Sequence, residues 1–134
     1  MISLTVLAPP GWCAINRRTA DSSFRLSERY LAFREAVVQE VELAREQGRI
    51  PVERPAWRAV GIAVSAYWPT QHRKDPELAG LPRGDIDSPL KGVLDALEHA
   101  GVYKDDTQII ELVALKAVDH INPRVVIELW EVVS

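Results

Sequence analysis

The sequence predicts a two-layer α+β domain: a four-stranded mixed sheet and two helices in the order β-α-β-α-β-β. Three observations carry this. Residues 57–68 alternate, with Val60, Ile62, Val64, Ala66 and Trp68 sharing one side, the pattern of a half-covered strand. Segments 27–47 and 88–100 instead space their apolar residues at helical intervals. Two late apolar runs, 108–118 and 124–133, are divided by the turn signal Asn122-Pro123. A chain of 134 residues suits one domain, spanning 1–134.

Taken in order, residues 2–8 form a short strand that Pro9-Pro10-Gly11 stops. The stretch 12–24 has a loop composition, with Asn16, Arg17 and Arg18 in its middle. Ser27 is the expected cap of the first helix and Gly48 lies past its end. Tyr30, Phe33, Val37, Val41 and Ala44 make its buried stripe, leaving Glu35, Glu40, Glu42, Arg45 and Glu46 on the other faces. Residues 51–55 link it to the alternating strand, which Pro69 ends. The loop 70–84 holds His72, Arg73 and Lys74, and a loop of that length in a small domain is usually functional.

The second helix is marked at both ends. Ser88 reads as its N-cap and Pro89 as its first residue, since the missing proline donor is not needed there. Leu90, Val93, Leu94 and Leu97 supply one apolar face, and Gly101 the left-handed stop. Lys91 and Asp95 lie four apart and off that face. The last two strands are expected to pair as an antiparallel hairpin, the first of them buried on both sides because nearly every position is apolar.

Composition narrows the function. Apolar content of 47% and charged content of 26% are those of a globular protein. A lone cysteine, Cys13, rules out an intrachain disulfide framework and points to a reducing compartment. The opening MISLTVLAPPGW lacks a basic leader and its apolar run ends at Pro9, so a cytoplasmic protein with no membrane partner is expected. The net charge of −3 sits in one place: residues 83–106 hold three cations against six anions, and the rest carries 13 of each sign. Residues 1–34, by contrast, carry five arginines against Asp21 and Glu28. An acidic centre of this kind repels an anionic substrate unless a cation stands between them.

The acids suggest what that cation is. In an extended stretch Asp85 and Asp87 project the same way, and Asp106 stands just before a strand. Carboxylate oxygens suit Mg²⁺ or Mn²⁺, which keep several waters and share their shell with substrate phosphate. A helix of about twelve residues rises roughly 18 Å, so Asp106 joins the pair only if its strand runs back alongside. A plainer account stays open beside this one: Asp87 as a dipole partner, Asp105-Asp106 as a turn, and Lys91 as a solvated cation. His72, His99 and His120 fall in different elements and suggest no zinc site. Trp57, Trp68 and Trp130 are expected in the core, and Trp12, near Asn16, is the tryptophan placed to stack on a base.

The run D-I-D-S-P-L-K-G-V-L-D-A-L-E-H-A-G-V-Y-K-D-D-T-Q-I resembles the signature of the RusA family of Holliday-junction resolvases. The matching positions are Asp85, Asp87, Lys91, Asp95-Ala96-Leu97, Ala100-Gly101, Asp105-Asp106, Gln108 and Ile109, with spacing kept over about 25 residues. A weaker likeness covers the start: a strand ending in Pro9-Pro10, Asn16 in the next loop, and Phe33-Arg34 in the first helix. The resemblance implies a RusA-like fold and Mg²⁺-dependent cutting of four-way junction DNA by a homodimer. It also implies that Asp85, Asp87 and Asp106 are metal ligands and Lys91 the catalytic lysine. DNA contacts are expected from Asn16, Arg17, Arg18, Arg73, Lys74 and Arg83. Ser88 stands where the family pattern has Asn, and the loop before Asp85 is less basic than the family's. Two rival classes are a junction-binding protein without turnover and a metal-dependent phosphohydrolase of small nucleotides.

Overall fold

The computed structural model describes the chain except residues 15, 19–23, 70–72, 83 and 134; for 16–18, 24 and 25 it describes the backbone alone. Strand β1 (Ile2–Val6) alternates buried and exposed positions and gives way to a 3-10 turn at Pro10–Cys13. Two three-residue strands, β2 (Asn16–Arg18) and β3 (Phe24–Leu26), form a separate antiparallel ribbon where a loop was expected. Helix α1 (Glu28–Glu46) is capped as expected, the Ser27 side chain accepting from the Tyr30 N–H at 3.0 Å. Then follow β4 (Val60–Trp68), α2 (Asp87–His99), β5 (Ile109–Val118) and β6 (Arg124–Glu131). Gly48 and Gly101 end the helices at φ of 73° and 80°.

The mixed sheet has the order β1-β6-β4-β5, with β6 antiparallel to both β1 and β4 and β5 parallel to β4. Residues from β1, β4 and β6 join Phe33, Val37 and Val41 of α1 and Val93, Ala96 and Leu97 of α2 in one buried cluster. The two helices lie on one face, as a two-layer fold requires.

Two expectations about the last strands are corrected. β5 and β6 form no hairpin: the 119–123 turn steps over the end of β4, where Asp119 N–H donates to the Trp68 carbonyl at 2.8 Å. Arg124 fastens the same turn, bonded to Asp119 at 2.8 Å and stacked 3.9 Å from the Tyr67 ring centre. β5 is not buried either. It is an edge strand on which Ile110, Leu112, Val113 and Leu115 are between 45% and 58% exposed. An apolar run shows that a strand wants cover, not that its own chain supplies it.

Arg45 is also corrected. Helical spacing predicts an outer-face position for it, yet it is buried, donating to the carbonyls of Pro51 (3.2 Å) and Ala100 (2.9 Å) and to Glu42 (2.7 Å). It thereby caps the C-terminal end of α2 with a cation, which the helix dipole favours.

Candidate active site

Helix α2 organises the site, and its starting point differs from the expected one. Ile86 already has αR angles and Asp87 is the first helical residue, so Ser88 lies inside the first turn and caps nothing. Pro89 is tolerated there because the N–H groups of a first turn have no intrahelical partner. Asp85 and Asp87 therefore do not share an extended segment, and their spacing of two does not give them a common direction. Asp87 instead sits in the positive field of the helix start.

Three ties fix α2 against the rest of the fold. The Tyr30 hydroxyl donates to the Gly92 carbonyl at 3.0 Å, the Tyr103 hydroxyl donates to the Leu94 carbonyl, and Arg45 holds Ala100. Gly92 lets the 3-10 turn come close: a Cβ there would stand 2.2 Å from the Cys13 carbonyl oxygen. Burial pushes the Tyr30 phenol up to about 12. Burial raises Tyr103 still further, helped by Glu98, Asp95 and Asp106, so both remain neutral donors. With its inner face held, α2 leaves Asp87, Lys91 and Asp95 exposed.

Lys91 and Asp106 line one cavity of about 230 Å³ together with Asp95, Glu98, Leu94 and Tyr103. Asp106 is delivered by a capping box. The Asp105 carboxylate accepts from Thr107 N–H at 2.9 Å, which lowers its pKa. Gln108 Oε1 accepts from the N–H groups of Lys104 (2.7 Å) and Asp105 (3.0 Å), while its Nε2 donates to the carbonyls of Trp57 and Arg58. The turn is thus fastened to the chain just before β4, and the exposed Asp106 carboxylate faces the cavity.

Asp85 lies elsewhere. It lines a second cleft, of about 400 Å³, with Arg73, Leu81, Pro82, Gly84 and Lys116. Lys116 pairs with Ala66 near the end of β4, whereas Ile109, just after Asp106, pairs with Val60 at its beginning. Seven residues of strand separate these levels, roughly 20 Å. The 13 residues of α2 span a similar distance. One chain therefore brings Lys91 and Asp106 into one cavity and leaves Asp85 in another.

The other expected residues distribute as follows. Arg73 is half-buried and donates to the Pro82 carbonyl at 3.3 Å, and Lys74 is exposed. Arg83 and His72 lie outside the described residues, as do the side chains of Asn16, Arg17 and Arg18, whose backbone forms β2. Trp12 belongs to the 3-10 turn, with the Arg29 guanidinium 6.0 Å from its ring centre. Trp57 is buried as expected, and Trp68 and Trp130 are partly so. Lys116 was missed, although its isolation as the one cation in the apolar run LVALKAV was a readable signal.

The donors are the oxygen ligands a hard cation takes. Their placement in a single chain does not gather them: among the described residues no three His, Cys, Asp or Glu side chains come together to hold a metal ion. The charge is also uneven. The Asp106 cavity is lined by one cation and three carboxylates, the Asp85 cleft by two cations and one carboxylate. A phosphate is drawn to the second rather than the first.

The family model described as endodeoxyribonuclease RusA matches residues 13–130, which contain both cavities. The chain belongs to the RusA family. Nuclease chemistry on junction DNA is what that family performs, and the four-stranded mixed sheet with two helices agrees with a RusA-like fold. A search of the curated proteins finds no match. No helix among the described residues is long and apolar enough to cross a membrane.

Proposed function

We propose that this RusA-family chain cuts four-way DNA junctions by paired nicks as a homodimer, using Mg²⁺ or, in its place, Mn²⁺. The observation that carries the reading is the family match over residues 13–130, within which Asp85, Asp87, Lys91 and Asp106 keep the spacing of the resolvase signature. Two cuts on a four-way substrate call for two sites, which a two-fold dimer supplies.

The separation of the acids supports the dimer. Strand β5 is an exposed apolar edge with unpaired backbone groups, the kind of surface that takes a second strand. Antiparallel pairing of two β5 strands would set the beginning of one beside the end of the other. Asp106 of one copy would then lie toward the Asp85 cleft of the other. In this reading the metal set of Asp85, Asp87 and Asp106 is completed between copies.

Bound there, the ion would supply charge to the scissile phosphate and a more acidic water. Lys91 would steady the charge that grows on the phosphate oxygens, as a compact point charge does. Arg73, with Lys74 and Arg83 of the same loop and Asn16, Arg17 and Arg18 of the β2 region, would carry the backbone contacts to DNA.

The test is a synthetic four-way junction labelled on each strand and titrated with Mg²⁺. Symmetric nicks that vanish in Asp87→Asn while junction binding persists support the reading; equal cutting by that variant refutes it. Binding without nicks in both Mg²⁺ and Mn²⁺ would favour the junction-binding protein without turnover, and turnover of free nucleotides would favour the phosphohydrolase.

A further inference from the structure

We infer that Lys116 is a positioning residue for Asp85, acting through the peptide that precedes it. The Lys116 ammonium donates to the Gly84 carbonyl at 2.5 Å and to the Pro82 carbonyl at 3.4 Å. Arg73 holds the same Pro82 carbonyl from the loop side. Beneath the segment lies Trp68: a Cβ on Gly84 would stand 2.0 Å from the indole, so the glycine backbone rests on the ring. The ring sets how deep the segment sits. The ammonium sets which way it faces.

The direction matters because a peptide unit is planar. The Gly84 carbonyl and the Asp85 N–H belong to one plane, so a donor fixed on that oxygen fixes the plane from which Asp85 leaves the chain. Two residues later α2 begins, already anchored at Gly92 and Ala100. Asp85 thus lies on a short bridge held at both ends, and Lys116 is the holder that comes from another strand. Lys116 pairs with Ala66, on the helix-covered face of the sheet, so its side chain starts on the side where the bridge lies. A lysine on an exposed edge strand ordinarily stays solvated, since pinning its long stem costs entropy. Here two carbonyls of one segment engage it.

The inference rests on reading Asp85 as a site residue, and its test separates the two. Full-length wild type, Lys116→Met and Lys116→Arg are compared by amide hydrogen exchange over residues 82–90 and by junction cutting at saturating DNA. Lys116→Met is expected to exchange several-fold faster at Asp85 and Ile86 and to lose roughly ten- to a hundred-fold in cutting rate, the cost of a misplaced reacting group. Metal-free junction affinity should fall far less than the cutting rate, by the loss of one cleft cation alone. Lys116→Arg, which keeps charge and donors, should restore most of both losses. Equal exchange in all three proteins overturns the inference, as does faster exchange with unchanged cutting. A wild type that cuts no junction would sink the nuclease reading alone; exchange then decides whether Lys116 holds Asp85.

Discussion

Gln108 Nε2 donates to the carbonyl of Trp57 at 3.0 Å, tying the turn that carries Asp106 to a residue 51 positions earlier. The same side chain receives two backbone N–H groups through its oxygen, so one amide braces both sides of the turn. Gln108→Glu keeps the acceptor and loses the donor. It should lower stability by about 1–2 kcal/mol, the cost of leaving carbonyls at Trp57 and Arg58 without their partner. A urea midpoint equal to wild type would show that the bracket contributes nothing.

Gly92 tests the close approach of the 3-10 turn to α2. Gly92→Ala places a methyl against the Cys13 carbonyl backbone, which cannot swing aside as a side chain would. About 1–3 kcal/mol of destabilisation is expected from such overpacking, despite the better helix propensity of alanine. A thermal midpoint at or above wild type contradicts the packing described.

Cys13 gives a pH dependence with a definite sign. Burial pushes its thiol from 9.0 up to about 12, so folding favours the protonated form. Unfolded chains release that proton first as pH rises. The contribution of Cys13 to stability is therefore full below 9.0 and is lost as pH climbs toward about 12. Unfolding midpoints of wild type and Cys13→Ala, followed across this alkaline range, should converge as pH rises. In native protein the thiol should also resist a disulfide reagent that reacts at once in urea.

The edge strand makes a prediction about association. Leu115→Lys alters a residue 57% exposed in one chain, so the fold of the monomer should tolerate it within about 0.5 kcal/mol. If β5 joins two copies, sedimentation should show a dimer for wild type and a monomer for the variant. Identical mass for both proteins would remove β5 from the interface.

Legibility in the sequence followed the range of the interactions. The alternation that ends at Trp68 and the Ser27 cap are local patterns, and both appear, although the strand begins at Val60 and leaves Trp57 outside it. The β2–β3 ribbon has strands of three residues, too short to show a period. Arg45 follows the α1 stripe at helical spacing, but the carbonyls it serves, Pro51 and Ala100, are supplied by tertiary contact. The run Ile109–Val118 was misread because hydrophobicity records a need for cover without naming its source. At the site, Asp85, Asp87, Lys91 and Asp106 were visible as a spaced set. The division of Asp106 and Asp85 between two cavities was not, since it depends on β5 lying parallel to β4.

The central claim is that acids separated in one chain act together between two. Asp87→Asn and Asp106→Asn are each expected to abolish nicking when prepared alone. Mixed and re-annealed in equal amounts, they should recover about a quarter of the wild-type rate, because half the dimers are mixed and each of these holds one intact site. A mixture as inactive as its two components, formed under conditions where subunits exchange, would contradict the account.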